Sequence, residues 1–305
     1  LNCYLSGVSY SLGDQMHIDT LNEEAATLTS LKAKGLASYR NSTSDFDELI
    51  IESIEATLEK THCNPNDVDG IMFISDSFKF MPEFSSTGIN HILRKLELFN
   101  AKPYGTSLSE CANLSYGLQL GHALITSGAS KNILVVVFDR LDPTLNSRLV
   151  DFGLGVFSDG VASCLLHSAG NADYKLIDVS LYQDIAIDLI DVNTHIEEYF
   201  SRIAQGLKTV CSQLLEKNNL TPSHIDKLFA NNYVEHTLNM FVNHIGFNEQ
   251  QSYFDNIPRL GHVFSADTLI NLEDYANETT LVKDSLYVLL STADSRWGSA
   301  LIQKV

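Results

Sequence analysis

The sequence predicts an α/β protein built from two related halves. Three observations carry that prediction. Short continuous apolar runs, above all Lys131-Asn-Ile-Leu-Val-Val-Val-Phe138, suit strands buried on both faces of a sheet. Between such runs stand segments whose apolar residues recur at three and four, the spacing of one helix face. The alternation then repeats after a break at 170–173, which divides the chain into 1–170 and 171–305.

In order, Asn2–Val8 reads as a first strand and His17–Leu31 as a polar loop and helix. Asp45–Thr61 is a helix, with Leu49, Ile50, Ile54 and Leu58 on one face. Gly70–Ser75 is a buried strand and Ser85–Leu98 a helix. Lys102–Ser109, with Pro103 and Gly105, approaches Cys111 in extended form, and a helix then runs to about Thr126. Phe157–Leu166 is a turn feeding a strand. In the second half, Tyr174–Tyr182 alternates like a strand and Ile196–Leu215 is a long amphipathic helix. Lys227–Asn231 and Tyr253–Ile257 read as strands, with a helix at Val234–Val242 between them. Gly261 opens a loop before a helix through Leu272, and Ser285–Leu290 and Ala300–Val305 close the sheet.

The bulk numbers narrow the function. The chain has 305 residues, 44% apolar and 19% charged, with a net charge of -18. That is a globular composition, and its sign disfavours nucleic acid and anionic membranes as partners. No run of 18 apolar residues suggests a membrane span, and no signal-peptide pattern opens the chain. It starts on Leu1, as a chain trimmed at its start would. Five scattered cysteines without a C-x-x-C pair argue against a disulfide framework or a zinc site, and point to a cytoplasmic protein. The histidines form no H-E-x-x-H, and no glycine-rich phosphate loop of the G-x-x-x-x-G-K type occurs.

One cysteine stands apart. Cys111 lies at the strand-to-helix junction Ser107-Leu-Ser-Glu-Cys-Ala-Asn-Leu-Ser-Tyr-Gly117, where a helix N-terminus favours a thiolate. A thiolate there is a nucleophile toward thioesters; the bland alternative is a small core residue.

Several motifs then fall in one order. Glu110-Cys-Ala-Asn-Leu-Ser-Tyr-Gly117 resembles the cysteine elbow of the thiolase superfamily, and Phe157-Ser-Asp-Gly-Val-Ala162 its F-G-D-G-A segment. Trp297-Gly-Ser-Ala-Leu301 resembles the closing W-G-S-A-L of β-ketoacyl-ACP synthase III enzymes. Asn219–Asp226 resembles the lead-in to that family's catalytic histidine. The resemblance spans essentially the whole chain. It implies a duplicated five-layer α-β-α-β-α fold, a homodimer or a heterodimer with a related subunit, and a cysteine acylated from acyl carrier protein or coenzyme A.

The departures from the family are specific. Asn232 stands at the histidine position after Leu228-Phe-Ala-Asn231, and His262 stands at the asparagine position in Leu260-Gly-His-Val-Phe-Ser265. The implied site is therefore Cys111, Asn232 and His262, with the last two exchanged. Asn232 is expected to donate to a thioester oxygen, and His262 to donate or act as a base. His236 and His244 are weaker substitutes. Ser291–Arg296 replaces the glycine-rich loop that supplies an oxyanion donor in relatives. No tryptophan appears around Thr29–Lys34, and Ala33 and Thr237 replace arginines that clamp coenzyme A. A carrier-bound phosphopantetheine thioester is then the expected substrate arm, with no resident cofactor or metal. Lys32, Lys34, Arg40, Arg94 and Lys95 are candidates for docking the carrier. Met81-Pro82 matches the loop that crosses the dimer interface in relatives, flanked by Phe78, Phe80 and Phe84.

The expected activity is acyl loading on Cys111, then decarboxylative Claisen condensation in fatty-acid, polyketide or specialised-metabolite biosynthesis. The alternatives are acyl transfer to an oxygen or nitrogen acceptor and a non-catalytic partner subunit.

Overall fold

The computed structural model describes residues 1–43, 45–81 and 84–305. Among them the first half runs β1 (Cys3–Leu12), β2 (Asp14–His17), α1 (Ala25–Ala33), β3 (Ser38–Asn41), α2 (Phe46–Thr61), β4 (Gly70–Ile74) and α3 (Ser86–Lys95). It continues with β5 (Lys102–Thr106), α4 (Asn113–Thr126), β6 (Asn132–Asp139) and β7 (Gly160–His167). The second half holds β8 (Tyr174–Gln183), α5 (Ile196–Lys217), β9 (Lys227–Ala230), α6 (Glu235–His244) and α7 (Ile257–Leu260). It ends with α8 (Asp267–Glu278), β10 (Leu286–Thr292) and β11 (Arg296–Lys304).

The strands join in the order β5-β4-β6-β7-β1-β8-β11-β10-β9. Outward from the β1–β8 junction, the two sides follow one plan: β1-β7-β6-β4-β5 and β8-β11-β10-β9. On each side the inner pairs are antiparallel and the outer pairs parallel. The second side has one strand fewer among the described residues. The strand expected at Tyr253–Ile257 is replaced by a single bridge between Leu228 and Ser252, followed by α7. Pro258 falls in the first turn of α7, where a missing N–H costs nothing, and a sheet ladder could not use it. The short β2–β3 pair was not legible in the sequence, because four mostly polar residues carry no period.

Five layers result. α2 packs on β1 and β7, and α5 on β8 and β11. α4 and α8 lie between the two sides, each touching strands of both halves. In α4, Leu114, Leu118 and Ile125 are fully buried, each worth roughly 1.5–3 kcal/mol relative to exposure. Phe78, Phe80 and Phe84 pack with Phe73 and Phe138 in the outer core of the first half, as ordinary core aromatics do. Met81 belongs to the same core, while Pro82 lies outside the described residues.

The Trp297-Gly298 pair brings the central helix close. Trp297 is fully buried with its ring over Gly206 of α5. A Cβ on Gly298 would stand 2.1 Å from the Cβ of Ser115, so only glycine lets β11 meet α4 just beyond Cys111.

Candidate active site

Cys111 sits in a single helical turn, Glu110–Ala112, that leads directly into α4. The approach is bent sharply. Glu110 holds a left-handed conformation at φ 50, which L side chains adopt at a cost. Two contacts pin it: the Ser109 N–H donates to Asn113 Oδ1 at 3.0 Å, and the Ser265 hydroxyl donates to the Glu110 carbonyl at 2.9 Å. The second contact ties the cysteine turn to the loop that carries His262.

His262 is fixed from both sides. Its N–H donates to the Val156 carbonyl and its carbonyl accepts from the Ser158 N–H, each at 2.8 Å. The Phe157–Ala162 motif is thus the rail on which the histidine rides. Gly261, at φ +63, permits the approach, since a Cβ there would stand 2.6 Å from the Val156 oxygen. The imidazole lies among the rings of Phe157, Phe264 and Tyr233, with centroids 5.1 to 5.7 Å away.

The side chains meet as a triad. His262 Nε2 lies 3.2 Å from Cys111 Sγ, and Nδ1 lies 2.5 Å from Asp267 Oδ2. Asp267, the first residue of α8, is fully buried and accepts three further hydrogen bonds. They come from the Val263 N–H at 2.7 Å, the Asn232 N–H at 2.8 Å and the Asn232 amide at 3.1 Å. Every neighbour of this carboxylate is a donor, so both its oxygens serve as acceptors. The tautomer that satisfies both ring contacts has its proton on Nδ1, facing Asp267, and a lone pair on Nε2, facing the sulfur.

Sequence reasoning missed Asp267. An aspartate at the start of a helix reads as a cap. The available signal was its place five residues after His262, in a loop already singled out.

Asn232, expected to donate to a thioester oxygen, gives one amide N–H to Asp267, and its oxygen accepts from Asn271 at 2.9 Å. It does not line the cavity at Cys111. A buried amide chain continues behind it: Asn256 donates to Asn271 and to Asp274, each at 2.8 Å. His236 and His244 are exposed on α6 and make no contact with the sulfur.

The thiol is not the free thiolate a helix end would favour. Burial, then the carboxylates of Asp139, Asp267, Glu110 and Asp76, push its pKa well above the ordinary 9.0. The sulfur therefore keeps its proton at neutral pH until a base takes it.

Asp139 shows how this field is built. At the end of β6, its Oδ1 accepts from Ser75 Oγ, Ser77 Oγ and the Asp76 and Ser77 N–H groups at 2.9–3.1 Å. Among the described residues its Oδ2 has no hydrogen-bond partner, and burial pushes its pKa from 3.8 up to about 7. The folded state therefore holds a proton that the unfolded chain releases near 3.8. This contribution is fully present below that pH and is lost as pH rises through about 7. Asp139→Asn is expected to remove this loss. Urea unfolding from pH 4 to 8 should show the variant gaining on the wild type by a few kcal/mol, mostly below pH 7. Parallel curves would contradict it.

A cavity of ≈ 220 Å³ opens beside the sulfur, lined largely by aromatic and aliphatic side chains. Leu154, Phe200 and Phe241 also line a second, apolar cavity of ≈ 340 Å³ that reaches Thr237 and the exposed Met240. Thr237 supplies no cation there. The loop that replaces the glycine-rich segment spends its donors within the protein. The Thr292 N–H goes to Asn231 Oδ1 and the Ala293 N–H to the Arg296 carbonyl. Of the docking candidates, Lys32 pairs with Asp19 and Lys34 donates to the Gly153 carbonyl. No group of three or more metal-ligating side chains occurs among the described residues, and none of their helices is long and apolar enough to cross a membrane.

A duplicated five-layer fold, with a cysteine at the head of the central helix and a histidine arriving from the second half, defines a thiolase-like protein. Residues 108–184 match the family model for 3-oxoacyl-[acyl-carrier-protein (ACP)] synthase III, and residues 215–304 match its C-terminal counterpart. The chain is similar to β-ketoacyl-[acyl-carrier-protein] synthase III of Chlorobaculum tepidum, at 23% identity over 310 residues, 94% of this chain and 92% of that one. Among solved structures it resembles ChlB3, an acyltransferase, with TM-score 0.87 at 14% identity, covering 100% of this chain and 98% of that one. It also resembles 3-oxoacyl-[acyl-carrier-protein] synthase III from Aquifex aeolicus, with TM-score 0.79 at 16% identity and 99% of each chain covered. The two family models together span more than half of the chain, which belongs to the β-ketoacyl-ACP synthase III-like enzymes of the thiolase superfamily.

Proposed function

We propose that this enzyme is a cysteine acyltransferase that moves an acyl group from a thioester to an oxygen or nitrogen acceptor. The observation that carries the reading is the contact of His262 Nε2 with Cys111 Sγ at 3.2 Å, backed by Asp267 on Nδ1. In loading, Nε2 takes the thiol proton as sulfur attacks the thioester carbonyl. The bond from carbon to Sγ forms, the bond to the donor sulfur breaks, and the imidazolium returns its proton to the departing thiol. In transfer, Nε2 takes the proton of the acceptor as that atom attacks the acyl carbon. The Cys111 sulfur leaves and is reprotonated. Asp267 holds the ring and stabilises the imidazolium in both steps.

Donors aimed at a malonyl carbonyl stabilise the enolate in a condensation. Asn232 spends one amide N–H on Asp267, its oxygen accepts from Asn271 and it does not line the cavity, which favours a reading without it as a second donor. Asp151 and Asp294 on the cavity wall also repel a malonyl carboxylate. The family names still speak for condensation, so the two reactions are to be separated directly. The donor we favour is a carrier protein, its phosphopantetheine arm threading the apolar cavity past Met240. Its docking site and the dimer are part of the same proposal.

The test is mass spectrometry of the intact protein after incubation with acyl thioesters, with the adduct mapped to its cysteine. Acylation at Cys111 without labelled carbon dioxide release from malonyl thioester is the expected result. Release of carbon dioxide would turn the assignment to condensation, and failure of every donor to load Cys111 would remove both.

A further inference from the structure

The cavity that Cys111 lines has a wall whose composition a neutral acyl chain does not require. Phe152, Tyr199 and Phe200 all line it and touch one another, with ring centroids 5.3 to 5.8 Å apart and mutually inclined planes. Phe152 is 46% exposed and sits at φ 57, a strained placement for a large side chain that turns its ring onto the other two. Beside these rings stand Asp151 and Asp294, with the Tyr199 hydroxyl near Asp294. Asp294 keeps part of its surface in solvent, yet partial desolvation and the nearby Asp151 raise its pKa, as expected of carboxylates crowded together.

The other acidic groups of the cavity are answered within the chain. Lys79 pairs with Asp76 at 3.2 Å, and Arg296 stands 3.9 Å from Glu110. Among the described residues no ion pair reaches Asp151 or Asp294, although both face the space in front of Cys111. Ring faces are negative, and together with carboxylates they form the chemistry that holds an ammonium group. The same wall disfavours anionic ligands.

We infer that the acceptor is cationic: an amino alcohol, amino sugar or diamine whose ammonium group is held by Asp151, Asp294 and the Phe152–Tyr199–Phe200 rings. A second hydroxyl or amino group of the same molecule then reaches the acyl carbon on Cys111. The inference rests on the acyl-transfer reading and specifies the substrate class of its second step.

The test uses a pair of probes of nearly equal shape, choline and its uncharged isostere 3,3-dimethylbutan-1-ol. Each is titrated at constant ionic strength against alkylation of Cys111 by iodoacetamide, followed by peptide mapping. Choline is expected to protect Cys111 at about tenfold lower concentration than the isostere. The preference should vanish in Asp151→Asn/Asp294→Asn and shrink in Phe152→Leu. Equal protection by both probes, no protection by either, or a preference that survives in the Asp151→Asn/Asp294→Asn protein overturns the inference. The wild-type comparison decides the charge question even if that variant does not fold. Loading of Cys111 by thioesters is scored separately, so acyl transfer can stand while the cationic acceptor falls.

Discussion

Asp267→Asn is expected to slow acylation of Cys111 about a thousandfold or more, because it corrupts the proton inventory around His262. Four donors converge on this carboxylate: Val263 N–H and the Asn232 amide on one oxygen, His262 Nδ1 and Asn232 N–H on the other. An asparagine turns one oxygen into a donor. With the new NH2 toward Nδ1, the imidazole must accept there and carry its proton on Nε2, where it meets the S–H instead of receiving from it. With the amide oxygen toward Nδ1, the NH2 opposes Val263 and Asn232, and unpaired buried donors cost roughly 1–3 kcal/mol each. The first orientation loses the base and also leaves the Asn232 N–H facing a donor, and the second loses stability at Val263 and the Asn232 amide. The measurement is the rate of adduct formation on the intact protein, paired with a urea midpoint. Loading within tenfold of the wild type in a stable variant would remove Asp267 from the mechanism.

His262→Ala is expected to cost about 10²–10⁴-fold in the same loading rate at neutral pH. A cysteine with a low pKa could survive the loss of its base by reacting as a standing thiolate. Here burial and the carboxylates of Asp139, Asp267, Glu110 and Asp76 hold the thiol well above 9.0, so that escape is closed. The pH profile gives the sharper readout. Below the raised pKa the thiolate fraction grows about tenfold per pH unit, and the variant's loading rate should climb with that slope past pH 9. The wild type, whose sulfur hands its proton to Nε2, should be much flatter. A variant that loads nearly as fast at pH 7, or levels off below pH 9, would show that the sulfur ionises unaided.

The layers of this protein were readable before any coordinates. Lys131–Phe138 could only be a strand buried on both faces, and β6 covers 132–139. The helix expected at Asp45–Thr61 is α2, Phe46–Thr61. The expected strand at Tyr253–Ile257 failed, because apolar residues near a proline served a helix start and a single bridge instead. Cys111 was legible as a strand-to-helix junction, and His262 through its motif. The partners they keep were not.

Sequence alone determined where the chain alternates between strand and helix, and which short motifs sit at the junctions. Both are local properties, set by which face of a nearby stretch meets the core. Tertiary structure alone decided that His262 meets a sulfur 151 positions away, that Asp267 backs it rather than merely opening a helix, and that Asn232 turns inward. The direction of a polar side chain depends on which donors and acceptors other elements bring to it, and that list exists only once the two halves have closed on α4 and α8.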